Sequence, residues 1–163
     1  FDSEGFYRIG DAGYLADAER PERGVVFNGR VAEDFKLSSG SWVSVGTLRV
    51  ELVSQLAPLV QDIVLTGHNR DEVGMLVFPS AAGVADTARL EEALRALMRA
   101  RRSAGAGSSQ CPTRALVMRE PPDADAGEIT DKGYINQGAV LSRRAAAVAA
   151  LYAEPAAAGV ITG

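Results

Sequence analysis

Residues 63–78 read IVLTGHNRDEVGMLVF: two apolar runs, 63–66 and 73–78, separated by the polar turn text GHNRD at 67–71. The two short apolar runs are expected as the strands of one hairpin joined by that turn. On the N-terminal side, Leu48, Val50, Leu52, Val53 and Leu56 recur at helical spacing behind Thr47, a candidate cap, with Pro58 near the helix end. On the C-terminal side, Leu90, Leu94, Leu97 and Met98 mark a second helix that Asp86 or Thr87 can cap. Residues 105–109 end it, and 115–118 form a third short strand.

Farther out, Phe35, Leu37, Trp42 and Val43 flank the small-residue tip Ser38-Ser39-Gly40-Ser41. That pattern predicts a two-stranded hairpin with Phe35 and Leu37 on one face and Lys36 on the other. Residues 1–28 are strand and turn material, with the polar stretch DAERPERG at 17–24 as a long loop and Asn28-Gly29 as a turn signal. Residues 120–133 are an expected exposed loop, 139–152 a last helix, and the Ala-rich tail is expected to fray. The sum is an α+β domain: a small three-stranded sheet plus a two-stranded hairpin, packed with helices and preceded by a β fragment.

Composition narrows the function. The chain has 163 residues, 47% of them apolar, enough for one packed domain or for one domain and a piece of another. The net charge of −4 and the lack of a long basic run argue against nucleic-acid binding. No stretch is long enough to span a membrane, and no signal peptide is visible. One histidine and one cysteine make a Cys/His zinc site untenable, and no metal ligand is assigned. Cys111 cannot form an internal disulfide, which points to a reducing, cytoplasmic setting. The opening text at Phe1 reads as the middle of a longer protein.

Arginine is the default cation; lysine occurs only at Lys36 and Lys132. A lysine retained against that bias suggests a site where a compact ammonium is wanted. Both lie in segments with chemical potential. The first such segment is Tyr7-Arg8-Ile9-Gly10-Asp11, where a turn aspartate can accept hydrogen bonds from a ribose diol. The second runs from Gly29-Arg30 through Lys36 to Ser39-Gly40, pairing a flexible junction with a tip that can approach a ligand closely. The third is Gly127-Glu128-Ile129-Thr130-Asp131-Lys132-Gly133-Tyr134-Ile135-Asn136-Gln137, a lysine on a loop able to enter a site built elsewhere and neutralise phosphate charge.

In this order the three segments resemble the C-terminal layout of the adenylate-forming enzymes, which include acyl-CoA synthetases and peptide-synthetase adenylation domains. AEDFKL at 32–37, WVSVG at 42–46, DAGEITDKGYINQ at 125–137 and AVLSRR at 139–144 look most like feruloyl-CoA synthase and its relatives. The resemblance implies the end of a large N-terminal domain at residues 1–29, a mobile lid domain at 30–155 and a disordered tail at 156–163. It implies an AMP-forming acid–CoA ligase acting on an aromatic acid, with ATP, Mg2+ and CoA as its small-molecule partners and with no activity in this fragment alone. By the same resemblance Asp11, Arg30 and Tyr7 bind nucleotide, Ala32 and Glu33 form the hinge, Lys132 serves adenylation, and Lys36, Ser39 and Gly40 lie on the thioester-forming face. Two other readings stay open: a lid-derived binding module, and an adenylation enzyme that loads a carrier protein.

The sequence departs from the family pattern at three places. Ala32 stands where the hinge usually has Asp or Lys. Arg49 replaces a common Glu, with Glu51 two residues later. Lys132-Gly133 inverts the usual Gly-Lys, so that strict alignment puts Tyr134 in the lysine position.

Overall fold

The structure is a computed structural model that describes residues 1–7 and 9–163, with Asn28 described by its backbone alone. Its centre is the hairpin of residues 63–78. Strands β5 (Val60–Thr66) and β6 (Val73–Pro79) pair antiparallel, with Ile63 opposite Val77 and Leu65 opposite Met75. Both faces of this pair are covered, which is why the text is continuously apolar and does not alternate. Ile63, Leu65, Met75 and Val77 face one core with Leu48, Leu52, Leu90, Leu94 and Met98. Val64, Leu76 and Phe78 face a second core with Ile135, Val140 and Leu151.

Two short strand pairs and one α-helix come before this hairpin. Strands β1 (Asp11–Leu15) and β2 (Val25–Arg30) pair antiparallel. Asn28-Gly29 therefore lies inside a strand and not at a turn. Strands β3 (Phe35–Lys36) and β4 (Trp42–Val43) form the expected small hairpin, with Phe35 and Leu37 buried and Lys36 exposed. Helix α1 (Val45–Gln55) begins before Thr47. Its first-turn donor is satisfied from outside, by the Asp34 carboxylate accepting from Val45 N at 2.9 Å.

After β6, Ser80 caps the short helix α2 (Ala81–Ala85) and Asp86 caps α3 (Thr87–Ser103), accepting from Arg89 N at 3.0 Å. The chain returns through β7 (Pro112–Val117), parallel to β6. The expected last helix is two, α4 (Gln137–Arg143) and α5 (Ala145–Leu151), broken at Arg144.

The tail corrects the sequence reading. Val160–Thr162 is strand β8, which pairs antiparallel with β7 and makes the sheet four-stranded, in the order β5-β6-β7-β8. The reason is the edge that β7 would otherwise expose; Ile161, 3% exposed, closes the first core against it. Residues 156–163 are thus not disordered as a whole, and the expected three-stranded sheet gains a strand.

Candidate functional site

Asp11 and Arg30, far apart in sequence, are register partners across β1 and β2. Arg30 Nε lies 3.9 Å from Asp11 Oδ1, with the two side chains 63% and 37% exposed. A pair so open contributes little to stability, and both groups stay available to a ligand. Tyr7 is exposed nearby in sequence and sets its ring edge-on to Phe1, 5.6 Å between centroids. Arg8, part of the same motif, lies outside the described residues.

Beyond Arg30 the chain turns at residues 31–33. Glu33 N donates to Arg30 O at 3.0 Å, and Val31 N to Gly10 O at 2.9 Å. Ala32 is exposed and Glu33 half-buried. Gly29 enters this turn at φ 84°, and a Cβ there would stand 3.0 Å from the Gly46 Cα of α1. The close approach of strand to helix and the positive φ both call for glycine at position 29.

On the β3–β4 hairpin, Lys36 Nζ lies 4.9 Å from the Trp42 ring centroid, a cation–π contact that leaves the ammonium at the surface. The tip turns at Gly40, φ 84°, and Ser39 Oγ donates to Ser41 Oγ at 3.1 Å. The hairpin is seated on the β5–β6 turn: Asn69 N donates to Lys36 O, Ser38 N to Arg70 O, both at 2.9 Å, and Ser38 Oγ to the Asp71 carboxylate.

Lys132 stands at the exposed tip of a tight turn. Gly133 N donates to Thr130 O at 2.9 Å with Gly133 at φ 80°, and Thr130 N donates to Tyr134 O at 2.7 Å. Below the tip, Ile129 bridges Ile135, and Asn136 N donates to Glu128 O at 2.8 Å. Tyr134, the residue that strict alignment puts in the lysine position, is itself exposed.

The base of this loop holds residues to which the sequence motifs assigned no role. Glu128 is 2% exposed and accepts from Arg144 Nε at 2.9 Å and Nη2 at 2.7 Å, and from Asp123 N at 2.8 Å. Arg144 also donates to Glu120 O and Pro121 O and stacks over Phe78 at 5.0 Å. Hydrogen bonds from Arg144 outweigh burial and hold the Glu128 carboxyl below its ordinary value. The Arg144 guanidinium is raised in return, chiefly by Glu128. A glutamate inside an otherwise polar loop, followed by an Arg-Arg pair, was the available signal.

The second missed residue is Gln137, 3% exposed at the start of α4, whose amide bonds to Leu65 N and Glu33 O. The structure thus brings Asp11 beside Arg30, and the turn at residues 31–33 beside the start of α4. Lys36, Ser39 and Gly40 share a separate hairpin, and Lys132 a separate loop. A cavity of about 610 Å³ between α3, the end of β7 and the tail is lined by none of these residues except Arg144. Among the described residues no cluster of His, Cys, Asp and Glu is placed to hold a metal ion, and no helix is long and apolar enough to cross a membrane.

The family described as AMP-binding enzyme C-terminal domain matches residues 36–156. Solved structures with the same fold include the A domain of a carboxylic acid reductase from Segniliparus rugosus, in complex with AMP and a co-purified carboxylic acid. It is 25% identical with a TM-score of 0.76, over 96% of this chain and 24% of that one. The A-PCP didomain of that reductase, with AMP, matches at 25% identity and a TM-score of 0.74, over 94% and 21% of the two chains. Coronafacic acid ligase from Pectobacterium brasiliense matches at 16% identity and a TM-score of 0.54, over 100% and 27%. The chain spans about a quarter of the length of these structures. No curated protein matches it.

Proposed function

The chain belongs to the family of AMP-binding enzyme C-terminal domains, and on that premise we propose that it is the lid portion of a longer enzyme that joins ATP and a carboxylic acid into an acyl-adenylate. The adenylate then passes to CoA, giving a thioester and AMP. The observation that carries this reading is Lys132: a lone lysine at an exposed loop tip whose base is fixed by a buried ion pair. An ammonium so presented can be delivered into a site on another domain and withdrawn again without refolding.

In this reading Asp11 and Arg30 hold the ribose hydroxyls, with Tyr7 close to the nucleotide. The turn at Ala32 and Glu33 is the hinge. Lys132 bridges carboxylate and α-phosphate oxygens while negative charge develops. Rotation about the hinge then presents Lys36, Ser39 and Gly40 to the same site for thiol attack. Mg2+ arrives with ATP as part of the substrate.

Residues 1–29 would belong to the large domain. The exposed apolar side chains on and around β1 and β2, among them Ile9, Tyr14, Val25 and Phe27, support this, since a stable protein covers such a surface. The acid is proposed to be aromatic, of hydroxycinnamic type, on the likeness of residues 32–46 and 125–144 to feruloyl-CoA synthases. A second reading, transfer to a carrier protein, is favoured by the likeness to the reductase A-PCP didomain. Acid-dependent ATP–pyrophosphate exchange by the full-length enzyme, followed by a titration of CoA against holo-carrier protein, tests both. Turnover with CoA supports the ligase, turnover with carrier alone supports the second reading, and no exchange with any acid overturns both.

A further inference from the structure

The turn between β5 and β6 carries the β3–β4 hairpin. Two backbone hydrogen bonds cross between them, Asn69 N to Lys36 O and Ser38 N to Arg70 O, and Ser38 Oγ adds a third to the Asp71 carboxylate. The packing is close: a Cβ on Gly67 would stand 3.2 Å from Phe35 Cε2 and 3.3 Å from Leu37 Cδ2. The position of this turn therefore sets the position of residues 36–38. We propose that Tyr152 is a positioning residue for that hairpin, acting by fixing the turn on which Lys36 is seated.

Tyr152 is the C-terminal cap of α5 and reaches the turn at three points. Its hydroxyl lies 2.9 Å from Thr66 O and 3.1 Å from Glu72 O, at the two ends of the turn, and shares its one proton between them. Arg70, near the tip, lays its guanidinium 4.1 Å from the Tyr152 ring centroid. Gly74 leaves room for the hydroxyl, since a Cβ there would stand 2.9 Å from it. The other end of α5 begins at Arg144, which holds the Lys132 loop through Glu128. Supports for the two lysine segments thus lie at opposite ends of one seven-residue helix. A change at Tyr152 is placed to act on the Lys36 hairpin and not on the Lys132 loop. The consequence for thioester formation rests on the adenylating-lid reading; the physical link does not.

The test uses two variants of the full-length enzyme. Tyr152→Phe keeps the ring and removes the hydroxyl. Arg70→Met keeps the Arg70 carbonyl and removes the stacked cation; the side chain is exposed, so this variant carries the test if the first does not fold. Amide hydrogen exchange is followed at Ser38 and Asn69 and at residues 75–77 of β6. Adenylate formation, with an acid that supports ATP–pyrophosphate exchange, is measured apart from thioesterification of the preformed adenylate.

In Tyr152→Phe, exchange at Ser38 and Asn69 is expected to rise about fivefold or more, the effect of one lost hydrogen bond, while residues 75–77 keep their protection. Thioester formation is expected to fall by a similar factor with adenylate formation unchanged. Arg70→Met is expected to move the same readouts in the same direction by about twofold or more. Unchanged exchange at Ser38 and Asn69 overturns the proposal, and so does an equal fall in both half-reactions. Absence of any acid-dependent ATP chemistry in the wild type would defeat the enzyme reading, and the exchange at Ser38 and Asn69 would then decide the link by itself.

Discussion

Glu128 shows how one buried charge can govern a loop. The Arg144 guanidinium and Asp123 N–H satisfy its carboxylate, so the pair is tolerated inside the fold; removing one partner leaves the other charged and buried. Arg144→Met is expected to cost about 3–5 kcal/mol in urea unfolding, the range for breaking a buried pair. Acid should act on the same residue. Unfolded glutamate titrates at about 4.3, and the folded Glu128 carboxyl is held lower. The stability it contributes is complete above the unfolded value and is lost as pH falls through the folded one. A Glu128→Gln variant should therefore show a shallower loss of stability below about pH 4.3 in unfolding curves taken across the acid range. Tyr152 behaves oppositely. Burial pushes its hydroxyl up to about 12, so its contribution holds to about pH 10 and is lost between there and 12. Tyr152→Phe should flatten that alkaline limb.

Among the elements, strand β8 is the clearest departure from expectation. Its three residues follow an Ala-rich stretch with no periodicity, and nothing local distinguishes them from a frayed end. What orders them is the open edge of β7 and a place for Ile161 in the core, both products of tertiary structure. Ile161→Ala is expected to cost about 2–5 kcal/mol, read from chemical denaturation; a change below about 0.5 kcal/mol, the level of a surface substitution, would show that β8 contributes little. The strands of the 63–78 hairpin, the β3–β4 pair and the α3 cap were legible because apolar period and turn chemistry agree there. The start of α1 was not, because its donor is capped by Asp34 across a hairpin and not by a neighbouring Ser or Thr. The same limit applies to the site. Segment motifs pointed to Asp11, Arg30, Lys36 and Lys132, whereas Glu128, Arg144 and Gln137 matter through partners that sequence spacing does not reveal.

At the scale of the whole molecule, the β1–β2 strip has an exposed apolar surface, and the residues after it pack around a two-sided core. Residues 30–163 without the strip should remain folded and monomeric, with a melting temperature close to that of residues 1–163. The longer chain should self-associate more, as sedimentation at matched concentrations would show. By itself the 163-residue chain should form no AMP from ATP and an acid, because the account gives the acyl pocket and phosphate loop to the large domain; acid-dependent AMP formation by this chain would contradict that division. The central claim concerns Lys132, and the most direct measurement is Lys132→Ala in the full-length enzyme, with adenylate formation from ferulate and ATP measured apart from thioesterification of preformed feruloyl-adenylate. The account predicts a fall of several hundredfold in the first step alone, about 3 kcal/mol or more of lost transition-state stabilisation. An unchanged first step would contradict it and would place the chemistry of this lid away from the Lys132 loop.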